Sequence, residues 1–337
     1  MLARLLGLAL FGALIAGPAL GASFDCNKAR TPFAKAICGH PELSKADEAV
    51  ADALKTALAG LSADAASVTQ RGNDDWVKYA NLACTKNARL PTRPYTADDM
   101  ECLKQLFTDR LAQLQNYKTI GGLRFYYIDS YAALPDPDPA NDDAGVATKS
   151  VSTPRIDGTD AEAQAFQDFM ENDTGKDIDI GITENPKPDA GTEDDAQSLI
   201  VSAVTPARIT MTDDSYSFGH GAAHGYFNVT YVHYLRPERR RLVASDVFAA
   251  DGWQGKLQTI AIAAVIKTEG EDLLLDDPKT LDPVVIDPAR WDFSKDGLVL
   301  QFEPYEIAPF TNGAPVVTIP WSDLDGMLAP DVARLED

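Results

Sequence analysis

Apolar residues recur every three or four positions between residues 41 and 117, a spacing typical of amphipathic helices. The pattern predicts three helices. The first begins at Pro41, the second spans about residues 63–88, and the third begins after Thr96, whose side chain is a suitable cap. Because three short helices bury little surface, we expect disulfide bonds to stabilise this bundle.

After Tyr117 the apolar period changes to two, which predicts strands. Helices are expected at about residues 160–170 and 253–267, and Asp296-Gly297 is typical of a hairpin turn. The alternation within residues 226–235 predicts a strand buried on one face only. The predicted strands are residues 123–131, 177–182, 198–204, 209–218, 226–235, 242–247, 298–302 and 316–319.

Together these patterns predict an α+β protein, in which a disulfide-stapled three-helix N-terminal domain precedes a mainly antiparallel sheet domain with packed helices. The predicted domains are residues 23–118 and 119–337. Two stretches rich in proline, glycine and acidic residues, 135–143 and 183–195, are expected to be loops. The first lacks the fixed glycine and twelfth-position glutamate of a calcium loop, so no calcium site is predicted.

Residues 1–22 have the pattern of a cleavable signal peptide. Arg4 precedes an apolar run over residues 5–16, Pro18 follows it, and small residues at Gly21 and Ala22 suit cleavage before Ser23. The run is shorter than the roughly 20 residues needed to span a bilayer. We therefore expect a periplasmic or secreted protein that does not insert into a membrane after cleavage.

The chain contains four cysteines, all within the helical part. An even number in an exported protein predicts two disulfides, for which three connectivities exist. Local pairing of Cys26 with Cys38 and of Cys84 with Cys102 is favoured, and the other pairings stay open. The spacing does not match that of a zinc site, so no metal is predicted there.

Charge narrows the class of partner. The chain has 30 Lys and Arg against 51 Asp and Glu, a formal net charge of −21. Nucleic acids and anionic membranes require cationic surfaces, so neither is an expected partner. The charge favours a cationic partner, or no partner at all.

The helical part contains a set of residues with a familiar spacing: Phe24-Asp25-Cys26, Ala36-Ile37-Cys38, Pro41-Glu42-Leu43, Trp76, Cys84, Cys102-Leu103 and Arg110. In these residues the segment 24–116 resembles the LprI-type lysozyme-inhibitor domain. A long insertion with prolines between Cys84 and Cys102 departs from that family's pattern.

Three segments of the remainder form a second familiar pattern: Gly221-Ala222-Ala223-His224-Gly225, Leu242-Val243-Ala244-Ser245-Asp246-Val247-Phe248 and Phe302-Glu303-Pro304-Tyr305-Glu306-Ile307-Ala308-Pro309. In these segments the chain resembles the C-terminal, DUF3298-type domain of RsiV-like lysozyme-sensing anti-sigma factors, and residues 151–169 look like the first half of that region. The resemblance implies lysozyme binding and helices packed on an antiparallel sheet. The chain has Gly-Ala where Gly-Gly is usual, and the anti-sigma role is not expected.

The sequence gives little support for catalysis. The sequence has no Gly-x-Ser-x-Gly elbow, phosphate-binding loop or dinucleotide fingerprint, and no cofactor is predicted. His220, His224 and His233 leave a three-histidine metal enzyme as an alternative, although the glycines beside His220 and His224 argue against a helical metal motif.

The two resemblances and the net negative charge together favour a non-enzyme that captures and inhibits lysozyme or another cationic cell-wall hydrolase. A non-catalytic periplasmic scaffold, or envelope-assembly module, is the alternative. Loops on a rigid sheet often carry recognition residues. The predicted partner-binding residues are His220, His224, Tyr226, Glu303, Tyr305 and Glu306.

Overall fold

The computed structural model describes residues 22–136, 145–173, 192–270, 273–275 and 277–336. The predicted strand at 177–182, nearly all of the predicted signal segment and most of the two predicted loops lie outside these residues. The helices are α1 (Pro32–Gly39), α2 (Pro41–Leu58), α3 (Ala63–Ala83), α4 (Ala97–Leu114), α5 (Ala161–Asn172), α6 (Trp253–Glu269) and α7 (Asp282–Val285). The strands are β1 (Thr119–Ile120), β2 (Leu123–Pro135), β3 (Val146–Ile156), β4 (Glu193–Val204), β5 (Arg208–Gly219), β6 (Tyr226–Leu235), β7 (Arg240–Arg241), β8 (Trp291–Ser294), β9 (Gly297–Gln301) and β10 (Val316–Pro320).

The three predicted helices are α2, α3 and α4, which confirms the helical pattern. Thr96 caps α4 through a reciprocal pair of hydrogen bonds. The Asp99 amide donates to Thr96 Oγ1 (3.2 Å), and the Thr96 amide donates to the Asp99 carboxylate (2.7 Å). The structure adds α1, an eight-residue helix whose amide at Ala34 donates to Thr31 Oγ1. It is too short for a periodic pattern to reveal.

Both disulfides have the local connectivity that the sequence favoured. Cys26 is bonded to Cys38, and Cys84 is bonded to Cys102. The second bond joins the end of α3 to α4 and closes the segment that contains the proline-rich insertion. The α+β class with a disulfide-linked helical N-terminal part is therefore confirmed.

Seven strands form one sheet in chain order, from β1 to β7. Every neighbouring pair is antiparallel except β3 and β4, which are parallel. Strand β3 was not predicted, because it has polar and charged residues where a strand pattern needs apolar ones. Its Lys149 is buried and paired with Asp195 on β4 (2.8 Å), so a charged residue occupies an interior strand position.

The first hydrophobic core lies between this sheet and the helices. Phe107 of α4, Phe125 and Tyr127 of β2 and Phe166 of α5 are all buried in it. This apolar packing is continuous across residue 118, and the domain boundary drawn there stays a prediction.

A second core surrounds the three-stranded sheet of β8, β9 and β10, against which α6 packs. The predicted hairpin is confirmed, since Ser294 pairs with Gly297 across the turn. A Cβ on Gly297 would lie 2.0 Å from the carbonyl oxygen of Ile319 on β10. Only glycine allows the two strands to approach so closely.

The predicted strand at residues 242–247 is wrong. A short 3-10 helix, Ala244–Asp246, occupies this segment. The Asp246 carboxylate accepts the Val243 amide (2.8 Å) and pairs with Arg240 (2.7 Å). A local carboxylate-to-backbone bond thus competes with strand pairing.

Strand β6 lies between the two cores, which corrects the prediction of one buried face. Val232 and Tyr234 belong to the first core, whereas His233 contacts Phe293 and Leu235 belongs to the second core. The C-terminal half of the strand is therefore buried on both faces.

Within the described ranges, no helix has the length and apolar character required to cross a membrane.

Candidate functional site

Four ring-bearing side chains meet where the start of β6 approaches the segment after β9. We call His224, Phe227, Tyr305 and Phe310 the aromatic surface. Phe310 is its centre, with ring centroids 4.4 Å from His224, 5.5 Å from Tyr305 and 5.6 Å from Phe227. The Tyr305 hydroxyl lies 3.4 Å from His224 Nε2. Two distant segments of the chain thus build one patch.

Tyr305 projects outward from a firmly anchored segment. It is 52% exposed, yet Ile307 and Ala308, which follow it, are fully buried. Its φ of +71° lies in the left-handed region that is unfavourable for residues with a side chain. Such strain persists only where the surroundings impose it, and it is concentrated at functional positions. The fold therefore holds an apolar ring in water at an energetic cost.

A buried cation holds the base of this segment. Arg290 is 8% exposed, and its Nη2 donates to both Glu303 and Glu306 at 2.8 Å. The Glu303 amide also donates to the Glu306 carboxylate (2.7 Å). These bonds fix the residues on either side of Tyr305. The two carboxylates therefore position the ring, and part of their charge is compensated by Arg290.

Tyr226 connects β6 to the same network. Its hydroxyl donates to Glu303, and its side chain is 40% exposed. Desolvation first, and then the bond to the Glu303 carboxylate, raise the pKa of the Tyr226 phenol. The phenol therefore stays protonated and acts as a hydrogen-bond donor.

His220 lies apart from the other five predicted residues. Its side chain is only 1% exposed, with Nδ1 2.5 Å from Asp136 and Nε2 3.6 Å from Asp194. It is thus buried and hydrogen-bonded among acidic side chains beside the end of β5. His224, Tyr226, Glu303, Tyr305 and Glu306 are the predicted residues that the fold brings together.

The three histidines have separate surroundings. His233 is buried, with Nδ1 3.0 Å from Thr210 Oγ1 and Nε2 2.6 Å from the Trp291 carbonyl oxygen. His224 contacts Phe310, and His220 contacts Asp136. In the part of the chain that the structure describes, no group of three or more His, Cys, Asp or Glu side chains is arranged to hold a metal ion.

Sequence reasoning missed three components of the site: Phe227, Phe310 and Arg290. Phe310 directly follows the segment that carried the resemblance, and Phe227 was interpreted only as part of a strand pattern. Arg290 gave no periodic signal. A buried arginine requires acidic partners, so the glutamates of the Pro-Tyr-Glu segment were the available clue.

The segment that contains Tyr305 and the residues that position it matches a known family. Residues 245–322 match the family DUF3298, which is described as a protein of unknown function. The DUF3298 region includes Arg290, Glu303, Tyr305 and Phe310, whereas His224 precedes it. This match confirms the DUF3298-type resemblance for residues 245–322, and the LprI-type resemblance of residues 24–116 stays a prediction.

Two solved structures are similar to the chain. One is a member of the DUF3298 family from Bacteroides fragilis NCTC 9343, with 13% identity and a TM-score of 0.42; the match covers 64% of this chain and 98% of that one. The other is a DUF3298 family protein from Pseudomonas aeruginosa PAO1, with 15% identity and a TM-score of 0.44, covering 62% and 96%. None of the curated proteins compared with the chain matches it.

Proposed function

We propose that this protein is an exported, non-catalytic binding protein that captures a cationic cell-wall hydrolase such as lysozyme and inhibits it. The observation that carries the proposal is the aromatic surface, in which an exposed, strained Tyr305 is supported by Phe310 and His224. The RsiV-like resemblance and the net charge of −21 add the class of partner.

The physical argument begins with the energetics of interfaces. Tyrosine and other aromatic residues dominate binding energy because they bury large apolar areas and keep a polar tip for hydrogen bonds. In this protein the rings of Tyr305, His224 and Phe310 are already in contact with one another. Little side-chain freedom remains to be lost on binding, which favours affinity.

Charge contributes differently. A protein of net charge −21 attracts a basic enzyme over long distances, which raises the association rate more than the affinity. Such attraction weakens with added salt because the Debye length falls from about 10 Å at 0.1 M to about 3 Å at 1 M. Apolar contact through the aromatic surface does not weaken in this way.

The test is calorimetric titration of the chain beginning at Ser23 with a basic c-type lysozyme, at 0.05 M and 0.5 M salt. We expect binding at both salt concentrations and inhibition of cell-wall lysis. The Tyr305→Ala variant should bind about 30-fold more weakly, as for an interface residue worth about 2 kcal/mol. Ile266→Ala removes a similarly exposed apolar side chain from α6 and should bind like the wild type.

Three results would contradict the proposal. Loss of all binding at 0.5 M salt would mean that charge alone attracts lysozyme. Equal affinities of Tyr305→Ala and the wild type would exclude the aromatic surface as the contact. Absence of lysozyme binding at both salt concentrations would contradict it as well, and would favour the scaffold alternative.

A further inference from the structure

A groove on the helical part of the chain is bordered by α1 and by the proline-containing insertion between Cys84 and Cys102. Its volume is about 490 Å³, and ligand sites typically measure about 300–1,000 Å³. Pro32 and Lys35 lie on the same face of α1 and form part of one wall. Residues 91–95 of the insertion form the opposite wall. Its described lining includes no residue of the aromatic surface, so the groove is a separate site.

Both walls are held in place before any ligand arrives. One disulfide ties the segment that precedes α1 to that helix, and the other closes the loop that contains the insertion. The insertion is fastened to α1 by Tyr95, which is buried and has its ring centroid 6.4 Å from that of Phe33. The Tyr95 hydroxyl donates to the carbonyl oxygen of Asn81 (3.1 Å). Little ordering of the chain is required on binding, which favours affinity.

The groove is cationic although the chain is strongly acidic. Arg30, Lys35 and Arg93 border it, and none of the described residues that line it is acidic. In a chain with 51 Asp and Glu against 30 Lys and Arg, three cations around one groove would be expected to share it with acidic residues. Like charges held together in this way repel one another, so an anion in the groove would stabilise the arrangement.

Two of the three positive charges have no acidic partner in the described part of the chain. Arg93 pairs with the Asp99 carboxylate at 3.2 Å. The Arg30 guanidinium donates only to two backbone carbonyl oxygens, at 3.0 Å and 3.3 Å. The exposed Lys35 ammonium has no ion pair with any described carboxylate. The groove therefore offers two uncompensated positive charges.

We propose that this groove binds an organic phosphate monoester. Such a group carries a charge of about −1.5 to −2 at pH 7 and three acceptor oxygens, which balances the two free charges of Arg30 and Lys35, whereas a carboxylate balances only one. A guanidinium donates parallel hydrogen bonds to phosphate oxygens, and an ammonium binds phosphate as a point charge. Pro91, Pro94 and Met100 also border the groove and provide an apolar surface for the organic part of the ligand.

The first measurement is calorimetric titration of the chain beginning at Ser23 with phenyl phosphate, phenyl sulfate and phenol. The buffer contains no phosphate and is held at about pH 7.5, where the monoester is doubly charged. The three probes share one ring and carry about two, one and no negative charges. We expect saturable, one-to-one binding of phenyl phosphate, about tenfold weaker binding of phenyl sulfate and no binding of phenol. Absence of phenyl phosphate binding, or equal affinities for phenyl phosphate and phenyl sulfate, would overturn the proposal.

Thr92 allows the charge of one wall to be changed at constant side-chain size. It is exposed and borders the groove. Thr92→Glu places a carboxylate beside the bound phosphate and should weaken phenyl phosphate binding at least tenfold. Thr92→Gln introduces a side chain of the same size without the charge and should bind like the wild type. Equal affinities of the two variants would place the ligand elsewhere and refute the assignment.

A second pair of variants removes a single positive charge. Lys35→Gln should weaken phenyl phosphate binding at least tenfold, because it deletes one of the two free charges of the groove. Lys55→Gln removes an exposed lysine of α2 that does not border the groove, and it should leave the affinity unchanged. Equal losses in the two variants would show that only the net charge of the protein matters, which would contradict a site in this groove.

Discussion

His233 makes the stability of the fold depend on pH. Its Nε2–H donates to the Trp291 carbonyl (2.6 Å), which leaves Nδ1 as the acceptor of the Thr210 hydroxyl (3.0 Å). Thr210 in turn accepts a hydrogen bond from Arg208. These hydrogen bonds form together only when the His233 imidazole is neutral, because Nδ1 must carry no proton in order to accept the Thr210 hydroxyl. Burial, and then the charge of Arg208, lower its pKa from 6.5 to about 3.

The sign of the effect follows from proton binding. As pH falls below 6.5, His233 of the unfolded chain takes up a proton while folded His233 does not. Stability contributed by the neutral imidazole is therefore present above pH 6.5 and is lost as pH falls toward 3. Each unit of that interval lowers the free energy of unfolding by about 1.4 kcal/mol.

The perturbation is His233→Gln, whose side-chain amide keeps a donor for the Trp291 carbonyl but cannot titrate. Urea unfolding of the wild type and the variant is measured between pH 7 and pH 4. The difference in the free energy of unfolding between the two should shrink by about 1.4 kcal/mol per pH unit below pH 6. His224→Gln, which removes an exposed histidine, should give a curve parallel to that of the wild type. A difference that stays constant over this range would refute the reasoning.

Three further predictions concern stability, and each is checked by denaturant unfolding against the wild type. Gly297→Ala should lower the free energy of unfolding by about 1–3 kcal/mol, since its Cβ would lie 2.0 Å from the carbonyl oxygen of Ile319. An unchanged denaturation midpoint would show that β9 and β10 can move apart at no cost. Replacing Cys84 and Cys102 together by serine should cost about 3 kcal/mol, because the bond closes a loop with a sequence separation of 18, and equal stability with and without reductant would contradict this. Asp129→Asn should lower the free energy of unfolding by about 3–5 kcal/mol, because it leaves the buried guanidinium of Arg110 without its counter-ion. A decrease of less than about 1 kcal/mol would contradict this prediction.

Local signals predicted much of the secondary structure. The capped helix after Thr96, the hairpin before Gly297 and the strand at residues 226–235 are all present as expected. Each depends on interactions between residues close in sequence, or on a periodic pattern. Strand β3 and the 3-10 helix at Ala244–Asp246 were missed because a buried ion pair and a side-chain cap, respectively, override apolar periodicity there.

The candidate site was predictable only in part. Tyr305 and His224 were singled out from separate motifs, and the fold places their rings 6.3 Å apart. Phe310, which lies between them, and Arg290, which fixes the glutamates, carried no comparable signal. His220 came from the same motif as His224, yet its side chain is enclosed by acidic partners.

The sequence by itself determined the class of fold and the acidic character of the protein, because these depend on composition and on local patterns. It favoured the local disulfide pairing but left the other pairings open, and the structure decided between them. Only the tertiary structure decided which side chains meet. It joined His224 to Tyr305 across 81 residues, and it buried Arg110 of α4 against Asp129 of β2. Such contacts depend on how the two cores pack on either side of strand β6. No local sequence pattern encodes which residues far apart in the chain meet in this way.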